Sequence, residues 1–587
     1  MPFEAASLNA LWAELIVEEL ARNGLDYFCL APGSRNTPLT VAVAQNKRTR
    51  SIVHYDERGV AFHALGWARA TRRPSVVICT SGTAVANCLP AVVEAAMDIV
   101  PLIVLTADRP TELRNTGANQ TIDQVKIYGD YVRWFCDLPC PTDEIDPEVL
   151  LTTVDQAVYR ATRSPAGPVH INCMFREPLT PVGHEEDFTY YKLPIDDWYN
   201  ESNPYTEYQS SEMVIEDEII EEIADICNTD DEGILVVGRL RSPNETEAVK
   251  KILTRLNWPV FADIGSGMRL GFSAQNAIPY FDLVLISEKF VDEHKTFSVM
   301  QIGGRPTSKR LQEYLAQSSP GNYILIDNHP YRCDPIHRVT LRLETNVESF
   351  CSKLFTHLNK AKSSKWLEEV TSRSETIARV LQEMIDSDSR LTEPAVARLI
   401  SQHINHDAGL FLASSMPIRD MDMYADPHGP DVTVGCNRGA SGIDGTIAAA
   451  TGFTQGLNKP VTLLIGDLAF LHDMNSLALI KSLKQPLIIV VINNDGGGVF
   501  SFLPIAQQKK IFEPYFGTPH GLHFDKVAEM FGLEYYCPSS KESFISSYES
   551  LQKKKRSAII EVKSDRKENY KIHQEIEKRI IFELDNI

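Results

Sequence analysis

The chain has 587 residues, of which 43% are hydrophobic and 23% are charged, and its formal net charge is −20 at pH 7. This composition is typical of a globular protein, and the length is enough for about three to four domains. The 78 acidic residues outnumber the 58 basic ones, which argues against non-specific binding to nucleic acid or to an anionic membrane.

The N-terminal segment MPFEAASLNALWAELIVEELARNG mixes acidic with apolar residues and predicts an amphipathic helix rather than a signal peptide. No apolar run approaches the roughly 18 residues that a membrane helix needs, so no integral membrane segment is expected. The eleven cysteines include no CxxC pair, and several, such as Cys29, Cys79 and Cys173, lie in strand-like runs. We therefore expect a cytoplasmic protein with buried thiols rather than a disulfide framework.

Strand-like and helix-like segments alternate through residues 1–180. The predicted strands are DYFCLAP, SIVHYDE, PSVVICTSG, PLIVLTAD and GPVHINC. Such alternation predicts a doubly wound parallel sheet. Residues 181–215 are rich in proline, acidic residues and tyrosine, which is typical of a linker.

A second α/β region is predicted over residues 216–356, with GILVVG, WPVFADI, FDLVLIS and NYILIDN as its strands. The first of these is not followed by GxGxxG, because Arg239 and Leu240 come after Gly238. A dinucleotide-binding role for this central domain therefore has little support.

Residues 357–392 are charged and helical in pattern, and we interpret them as a second, helical linker. The third region, residues 393–587, contains LFLASS, VTLLIGD, LIIVVINN and SAIIEVKS as predicted strands. The predicted fold class is therefore α/β, with three consecutive doubly wound parallel-sheet domains.

The most informative stretch is GDLAFLHDMNSLALIKSLKQPLIIVVINNDGGG, in which Asp467 ends one strand-like run and Asn494 ends the next, 27 positions later (494 − 467). In a βαβ unit both strand ends open onto the same edge of the sheet. We expect the two side chains to lie together as oxygen ligands of Mg²⁺. The turn after Gly466 and the helix start at Leu468 offer backbone N–H groups to a diphosphate, and a carbonyl of the glycine run at 496–498 would complete the metal site.

This block resembles the cofactor signature of the thiamine diphosphate-dependent enzyme family. The family's usual third residue, a glycine, is Leu468 here. The resemblance implies three metal ligands: Asp467, Asn494 and Gly496. It also implies cofactor contacts from Gly466, Asp467, Leu468, Asn494, Gly496 and Gly497. The pattern does not distinguish Mg²⁺ from Mn²⁺, and the alternative interpretation is an ordinary strand pair whose polar ends cap helices.

Glu57 lies where the strand SIVHYDE passes into a helix. The helix dipole favours a carboxylate there, so Glu57 alone indicates no function. The resemblance implies that Glu57 lies beside N1′ of the aminopyrimidine and favours the imino tautomer that takes the C2 proton. This role needs a partly buried carboxyl group with a raised pKa. By the same resemblance Ser441 and Ile443 contact the cofactor, which Ile443 supports from below.

In this family the two halves of a site, one from the pyrimidine-binding and one from the diphosphate-binding domain, come from two chains. The resemblance therefore implies at least a homodimer, and leaves a homotetramer open.

Five stretches resemble one branch of the family, the carboligases of menaquinone biosynthesis that join 2-oxoglutarate to isochorismate. They are APGSRNTPLT, HYDERG, TSGTAVANCLPAVVEA, LTADRPTELRNTGANQTIDQ and CNRGASGIDG. In that branch 2-oxoglutarate loses CO₂ and its succinyl carbanion adds in 1,4 fashion to isochorismate. Both substrates are dianions, and arginine and lysine in fixed positions suit them.

The resemblance divides the polar residues of these segments between the two substrates. Isochorismate would be held by Ser34, Arg35, Arg109 and Lys309. The part derived from 2-oxoglutarate would be held by Gln120, Ser415, Arg419 and Arg438. Phe500 and Leu503 would form an apolar wall that keeps water away. Any one of these arginines taken singly is as well explained by a surface charge or a structural ion pair, as are Arg58 and Arg114.

Three other functions stay open at this point. Another thiamine diphosphate-dependent enzyme, such as an acetohydroxyacid synthase or a 2-oxoacid decarboxylase, would act on smaller and less charged acceptors. A non-catalytic protein that retains the fold would be expected to lack Glu57, Asp467 or Asn494, and all three are present. A nucleotide-binding oxidoreductase would need the glycine fingerprint that the central domain lacks.

Overall fold

The computed structural model of the protein describes residues 5–180, 187–360 and 364–587. The first sheet has six parallel strands in the order β2-β1-β3-β4-β6-β5. Its strands are β1 (Tyr27–Leu30), β2 (Arg50–Val53), β3 (Ser75–Cys79), β4 (Leu102–Asp108), β5 (Trp134–Leu138) and β6 (Pro168–Met174). The helices of this region are α1 (Leu8–Arg22), α2 (Thr37–Gln45), α3 (Glu57–Thr71), α4 (Thr83–Asn87), α5 (Leu89–Met97), α6 (Glu148–Thr162), α7 (Thr189–Lys192) and α8 (Asp196–Asn200).

The second sheet has five parallel strands in the order β11-β10-β9-β7-β8. Its strands are β7 (Ile234–Val237), β8 (Val260–Ala262), β9 (Ser298–Ile302), β10 (Asn322–Asp327) and β11 (Leu341–Glu344). The accompanying helices are α9 (Asp217–Thr229), α10 (Pro243–Leu253), α11 (Phe281–Val284), α12 (Glu288–Glu293), α13 (Lys309–Ser318), α14 (Val347–His357) and α15 (Lys365–Leu381).

The third sheet again has six parallel strands, in the order β13-β12-β14-β15-β17-β16. Its strands are β12 (Gly409–Leu412), β13 (Thr433–Cys436), β14 (Val461–Gly466), β15 (Leu487–Asn493), β16 (Glu534–Tyr536) and β17 (Ala558–Lys563). The helices are α16 (Glu393–His403), α17 (Met416–Tyr424), α18 (Thr446–Leu457), α19 (Asp467–His472), α20 (Lys509–Phe512), α21 (Asp525–Phe531), α22 (Lys541–Lys554) and α23 (Arg566–Asp585).

The central strands are buried along their whole length, as in β3, β4, β6 and β15. Strands of a parallel sheet are covered by helices on both faces, which explains why these segments are continuous apolar runs rather than alternating ones. The prediction of three parallel-sheet α/β domains is confirmed.

One predicted strand is wrong. FDLVLIS forms the short helix α11 and the turn after it, and the strand in this part of the sheet is β9, from SVMQI. All four residues of α11 are buried. A short apolar run has no period that separates a buried helix from a buried strand, which explains the error.

By compactness the chain divides into two units. The first comprises the described residues of Met1–Ser210 with Asn437–Lys459 and Ala469–Pro486, and the second comprises Ser211–Cys436, Pro460–Leu468 and Leu487–Ile587. The first unit thus includes α18, which lies late in the sequence. The boundaries of the three domains, with linkers at 181–215 and 357–392, stay a prediction. Residues 1–4, 181–186 and 361–363 of the predicted N-terminal helix and linkers lie outside the described residues.

Helices α3 and α18 pack backbone against backbone in the first unit. A Cβ atom on Gly66 would lie 1.9 Å from the carbonyl oxygen of Ala449, and one on Gly452 would lie 1.9 Å from that of His63. Any side chain at either glycine would push the helices apart. This close approach fixes the start of α3, where Glu57 lies, relative to α18.

A buried carboxylate ties the start of α18 to the segment before the 3₁₀ helix Met474–Ser482. Asp473 is fully buried and accepts hydrogen bonds from the backbone N–H of Ala448 (2.9 Å) and from the hydroxyl of Ser476 (2.8 Å). The nearest guanidinium nitrogen of Arg58 lies 3.7 Å from this carboxylate. Burial raises the pKa of Asp473 from 3.8 to about 6, against the opposing effect of these partners.

We expect Gly66→Ala to destabilise the protein. Alanine favours a helix over glycine, but overpacking at a contact this close costs about 1–3 kcal/mol. The thermal midpoint should fall, whereas Gln455→Ala, on the half-buried face of α18, should change it little. A higher midpoint for Gly66→Ala would contradict the close helix contact.

We expect Asp473→Asn to remove one part of the pH dependence of stability. Because the folded protein holds this proton more tightly than the unfolded chain, the contribution of Asp473 to stability falls as the pH rises from about 4 to about 6. A shift of this size corresponds to about 2–3 kcal/mol. The midpoint of the variant relative to wild type should therefore be higher at pH 7 than at pH 4.5. The exposed Asp143→Asn should show no such trend, and equal trends in both variants would contradict the assignment.

Candidate active site

Asp467 and Asn494 lie at the carboxyl edge of the third sheet. β14 and β15 pair in parallel with Gly466 opposite Ile492, so the residues that follow the two strands meet. The buried carboxylate of Asp467 accepts hydrogen bonds from the backbone N–H groups of Leu468 (2.6 Å), Asn494 (3.1 Å) and Gly496 (2.9 Å). The structure therefore brings together the predicted residues Asp467, Leu468, Asn494 and Gly496.

The nitrogen and the oxygen of the Asn494 amide differ in their hydrogen bonding. Its Nδ2 donates to Oε1 of Glu393 at 3.0 Å, whereas its Oδ1 is buried and has no hydrogen-bond partner among the residues that the structure describes. An orphaned buried carbonyl oxygen is rare in folded proteins. It is also a ligand that Mg²⁺ and Mn²⁺ accept.

The donor set at this edge suits a hard divalent cation. Burial raises the pKa of Asp467, and the N–H of Gly496 and the side chain of His520 oppose that effect; a bound cation would favour the ionised form further. Among the described residues no group of three or more His, Cys, Asp or Glu side chains is placed to hold a metal. A metal here would instead be held by one carboxylate, one amide oxygen and a backbone carbonyl, as predicted for Asp467, Asn494 and Gly496.

The glycines after β15 allow this edge to close tightly. Gly496 has φ of +129°, and a Cβ atom there would lie 1.9 Å from the carbonyl oxygen of Gly517. The N–H of Gly497 donates to that same carbonyl at 2.8 Å. If Gly466 carried a Cβ atom, no atom of the described residues, apart from its two chain neighbours, would lie within 4 Å of it. This leaves room beside the turn into Leu468.

Phe500 and Leu503 follow on the 3₁₀ segment Gly498–Phe502 and the residue after it. The ring of Phe500 packs edge-on against Phe516, with centroids 5.5 Å apart. Leu503 is 48% exposed. The predicted apolar wall is thus partly open in the single chain.

The other predicted residues of the second unit lie at two helix starts. Ser415 caps α17 with φ of +75°, and Nη1 of Arg419 donates to its carbonyl oxygen at 2.6 Å. Lys309 begins α13, where its side chain is 84% exposed and pairs with Glu313 at 2.8 Å. The structure therefore joins Ser415 to Arg419 and gives Lys309 an exposed ion pair.

In the first unit Glu57 begins α3, whose N-cap is Asp56. Glu57 is neither buried nor fully exposed, and its Oε2 accepts a long hydrogen bond of 3.4 Å from Nδ2 of Asn87. The carboxyl group is therefore available to a ligand at the start of this helix.

Arg35 and Arg109 are buried at the carboxyl edge of the first sheet. Arg35 donates to the carbonyl oxygen of Phe175 at 2.9 Å, and Arg109 donates to the hydroxyl of Ser81 and to the carbonyl oxygen of Gln120. Burial and the nearby Arg35 lower the pKa of Arg109. Arg35 also pairs with Glu177 at 3.4 Å, and buried guanidinium groups of this kind favour anionic partners.

Two residues that were assigned to different substrates lie next to each other in the structure. Gln120, assigned to the 2-oxoglutarate part, lies against Arg109, assigned to isochorismate. Ser34 is exposed next to Arg35. The division itself stays a prediction.

Two other arginines are structural. Arg114 pairs with Asp108 at 2.9 Å and with Asp137 at 3.2 Å. Arg58 lies 3.8 Å from Asp56 and hydrogen-bonds to the carbonyl oxygen of His472. Both agree with the interpretation of these residues as ion-pair partners.

Comparison with known proteins decides the family. The N-terminal TPP binding domain of thiamine pyrophosphate enzymes matches residues 12–127, the middle domain of thiamine pyrophosphate matches 189–412, and the C-terminal TPP binding domain matches 422–562.

Curated relatives match along nearly the whole chain. A protein of Rubrobacter xylanophilus named 2-succinyl-5-enolpyruvyl-6-hydroxy-3-cyclohexene-1-carboxylate synthase (SEPHCHC synthase) is 50% identical over 97% of this chain and 98% of its own. Proteins with the same name from Salinibacter ruber and Prosthecochloris aestuarii are 45% and 43% identical over 98% of this chain, and over 97% and 98% of their own. The chain belongs to the SEPHCHC synthase family of thiamine diphosphate enzymes.

Membership in this family confirms the predicted enzyme class, and the matched domains confirm thiamine diphosphate as the cofactor. Among the residues that the structure describes, every helix is too short or too polar to cross a membrane.

Glu94 is a residue of this SEPHCHC synthase-family chain that sequence analysis did not single out, although it lies in the quoted segment TSGTAVANCLPAVVEA. It is buried, and its two carboxylate oxygens accept from the backbone N–H groups of Gly439 (2.8 Å) and Ala440 (2.6 Å). These belong to the loop CNRGASGIDG, which contains the predicted site residues Arg438, Ser441 and Ile443. The sequence feature that could have identified Glu94 is an acidic residue on the apolar face of α5.

We expect Glu94→Gln to loosen this loop. Glutamine keeps one acceptor and turns an NH₂ group towards the second backbone N–H, which costs about 1–3 kcal/mol for a buried unsatisfied group. Hydrogen exchange of peptides that contain Gly439 and Ala440, followed by mass spectrometry, should be faster by about tenfold or more. Met97→Gln, at a 52% exposed position of the same helix, is the control, and unchanged exchange in Glu94→Gln would contradict the assignment.

Proposed function

We propose that the chain decarboxylates 2-oxoglutarate and adds the resulting succinyl unit to isochorismate, giving SEPHCHC and CO₂ in menaquinone biosynthesis. The observation that supports this most directly is the pair of buried arginines, Arg35 and Arg109, in a chain whose net charge is −20. Such a chain repels dianions at long range, so a site for them needs fixed local cations. The names of relatives at 43–50% identity support the same reaction.

The proposal assigns the cofactor to residues near the carboxyl edges of the first and third sheets. Thiamine diphosphate, when bound, supplies the nucleophile and the electron sink for the loss of CO₂. Glu57 would hold the proton at the pyrimidine ring. Asp467, Asn494 and Gly496 would hold Mg²⁺ or Mn²⁺, and the backbone at Gly466, Leu468 and Gly497 would face the diphosphate. Ser441 and Ile443 would contact the rest of the cofactor.

The substrates would be bound by charge and shielded by apolar side chains. Arg35, Arg109 and Lys309, with Ser34, would bind the carboxylates of isochorismate. Arg419 and Arg438, with Gln120 and Ser415, would bind the 2-oxoglutarate part. Phe500 and Leu503 would exclude water, which strengthens every one of these charge interactions.

We further propose that the protein works as a homodimer or a homotetramer. Predicted site residues remain open to solvent in the single chain: Leu503 is 48% exposed and Ile443 is 38% exposed. Exposed apolar residues assigned to a site are expected where a second copy covers them. We place the protein in the cytoplasm because all eleven of its cysteines lie in the described part of the chain and are free thiols.

The test is an assay with thiamine diphosphate and Mg²⁺ that follows 2-oxoglutarate and isochorismate, each alone and then together. We expect both to be consumed only when both are present, or much faster then. Consumption of 2-oxoglutarate that does not depend on isochorismate would overturn the carboligation and indicate a decarboxylase.

The variant that tests the role of Glu57 is Glu57→Gln, because glutamine has the shape of glutamate but no carboxyl proton to exchange. We expect turnover to fall by about 10²-fold or more, while thiamine diphosphate with Mg²⁺ still raises the thermal midpoint. Normal turnover in this variant would contradict the role of Glu57.

A further inference from the structure

A second buried acid lies behind the candidate metal site. Glu393 is the first residue of α16 and is only 3% exposed. Its Oε1 accepts from Nδ2 of Asn494 at 3.0 Å and from the hydroxyl of Ser564 at 2.6 Å. The three side chains come from distant parts of the chain, since Glu393 is 101 positions from Asn494 and 171 from Ser564.

This contact decides which way the amide of Asn494 points. The oxygen and nitrogen of an asparagine amide occupy nearly the same space, so the surroundings select the orientation. Oε1 of Glu393 accepts here, from the hydroxyl of Ser564 as well as from the amide, so it selects the NH₂ side of the amide. The amide oxygen is then turned away from Glu393, and this buried Oδ1 is the atom that has no partner within the described part of the chain.

We propose that Glu393 is a positioning residue that keeps the carbonyl oxygen of Asn494 directed at the divalent cation. This inference rests on the proposed function, which includes the cation. Without an acceptor at position 393, the amide would be free to rotate by half a turn and present NH₂ to the cation, which repels it. Partners behind a metal ligand commonly act in this way, and their loss weakens metal binding by about 10- to 100-fold.

A purely structural role for Glu393 makes a different prediction. Glu393 also joins the start of α16 to Ser564, at the end of β17. Replacing this acid alone with an apolar residue leaves the NH₂ group of Asn494 and the hydroxyl of Ser564 without this acceptor, and each buried group left unsatisfied destabilises the folded protein. A structural role would therefore change the stability of the unliganded protein and leave its affinity for the metal alone.

The experiment compares Glu393→Met with Glu393→Gln. Methionine has a similar length and no comparable acceptor, whereas glutamine retains an oxygen that accepts from Asn494. The readout is the Mg²⁺ concentration that gives half of the thermal stabilisation at a fixed saturating concentration of thiamine diphosphate. We expect it to rise about 10- to 100-fold in Glu393→Met and by less than about threefold in Glu393→Gln, and circular dichroism of the unliganded variants checks their folding.

Other results would overturn the inference. An unchanged Mg²⁺ requirement in folded Glu393→Met would do so, as would equal losses in both variants, because the retained acceptor should restore binding. If Glu393→Met does not fold, Glu393→Asp takes its place. Its carboxylate is withdrawn from Asn494 by one methylene group, so it should bind Mg²⁺ more weakly than Glu393→Gln. The reverse order would show that charge, not the placed acceptor, matters.

The wild-type protein separates this inference from the proposed function. A wild-type chain that thiamine diphosphate and Mg²⁺ do not stabilise would overturn the proposed function, and the inference with it. A normal wild-type response with an unchanged Glu393→Met response overturns the inference alone.

Discussion

The parallel pairing of β14 with β15 is the constraint on which the candidate site of the second unit depends. Gly466 lies opposite Ile492 in this register, so both chains leave the sheet at the same edge. The carboxylate of Asp467 then binds the first N–H groups after β15, those of Asn494 and Gly496. A shift of one residue in the register would turn every side chain of the strand to the other face. The closeness of Asp467 and Asn494 is therefore a consequence of this strand pairing.

The local pattern of the sequence was enough to predict this edge and its counterpart in the first unit. Runs of apolar residues that end in polar ones mark the strand ends, and Asp467 and Glu57 do lie where a strand passes into a helix. Arg35 was assigned from the family resemblance rather than from this pattern. The pattern failed where a short apolar run shows neither a helical nor a strand period, as in FDLVLIS, which forms α11. The edge strands β5 and β16, which are largely half-buried, were not predicted.

The residues that support the site could not be predicted in this way. Glu393 meets Asn494 across 101 positions, and Glu94 meets Gly439 across 345. Such pairs depend on how helices pack, which no local window of sequence contains. Glu94 gave a signal, because an acidic side chain on the apolar face of a helix is rare unless it is paired. Glu393 begins α16, where an acidic residue is ordinary.

These buried acids explain how an acidic chain can hold segments near predicted site residues in place. Asp467 and Glu94 each accept hydrogen bonds from backbone N–H groups of a segment that contains predicted site residues, and Asp473 accepts from Ala448 in α18, the helix that follows one of these segments. Backbone donors are present at almost every residue, so the loop side chains stay available for ligands. Charge-assisted hydrogen bonds to backbone N–H groups are stronger than neutral ones, which offsets the cost of burying the carboxylate. Burial raises the pKa of the Asp467 carboxyl, so binding of a divalent ion there and ionisation of that carboxyl would favour each other.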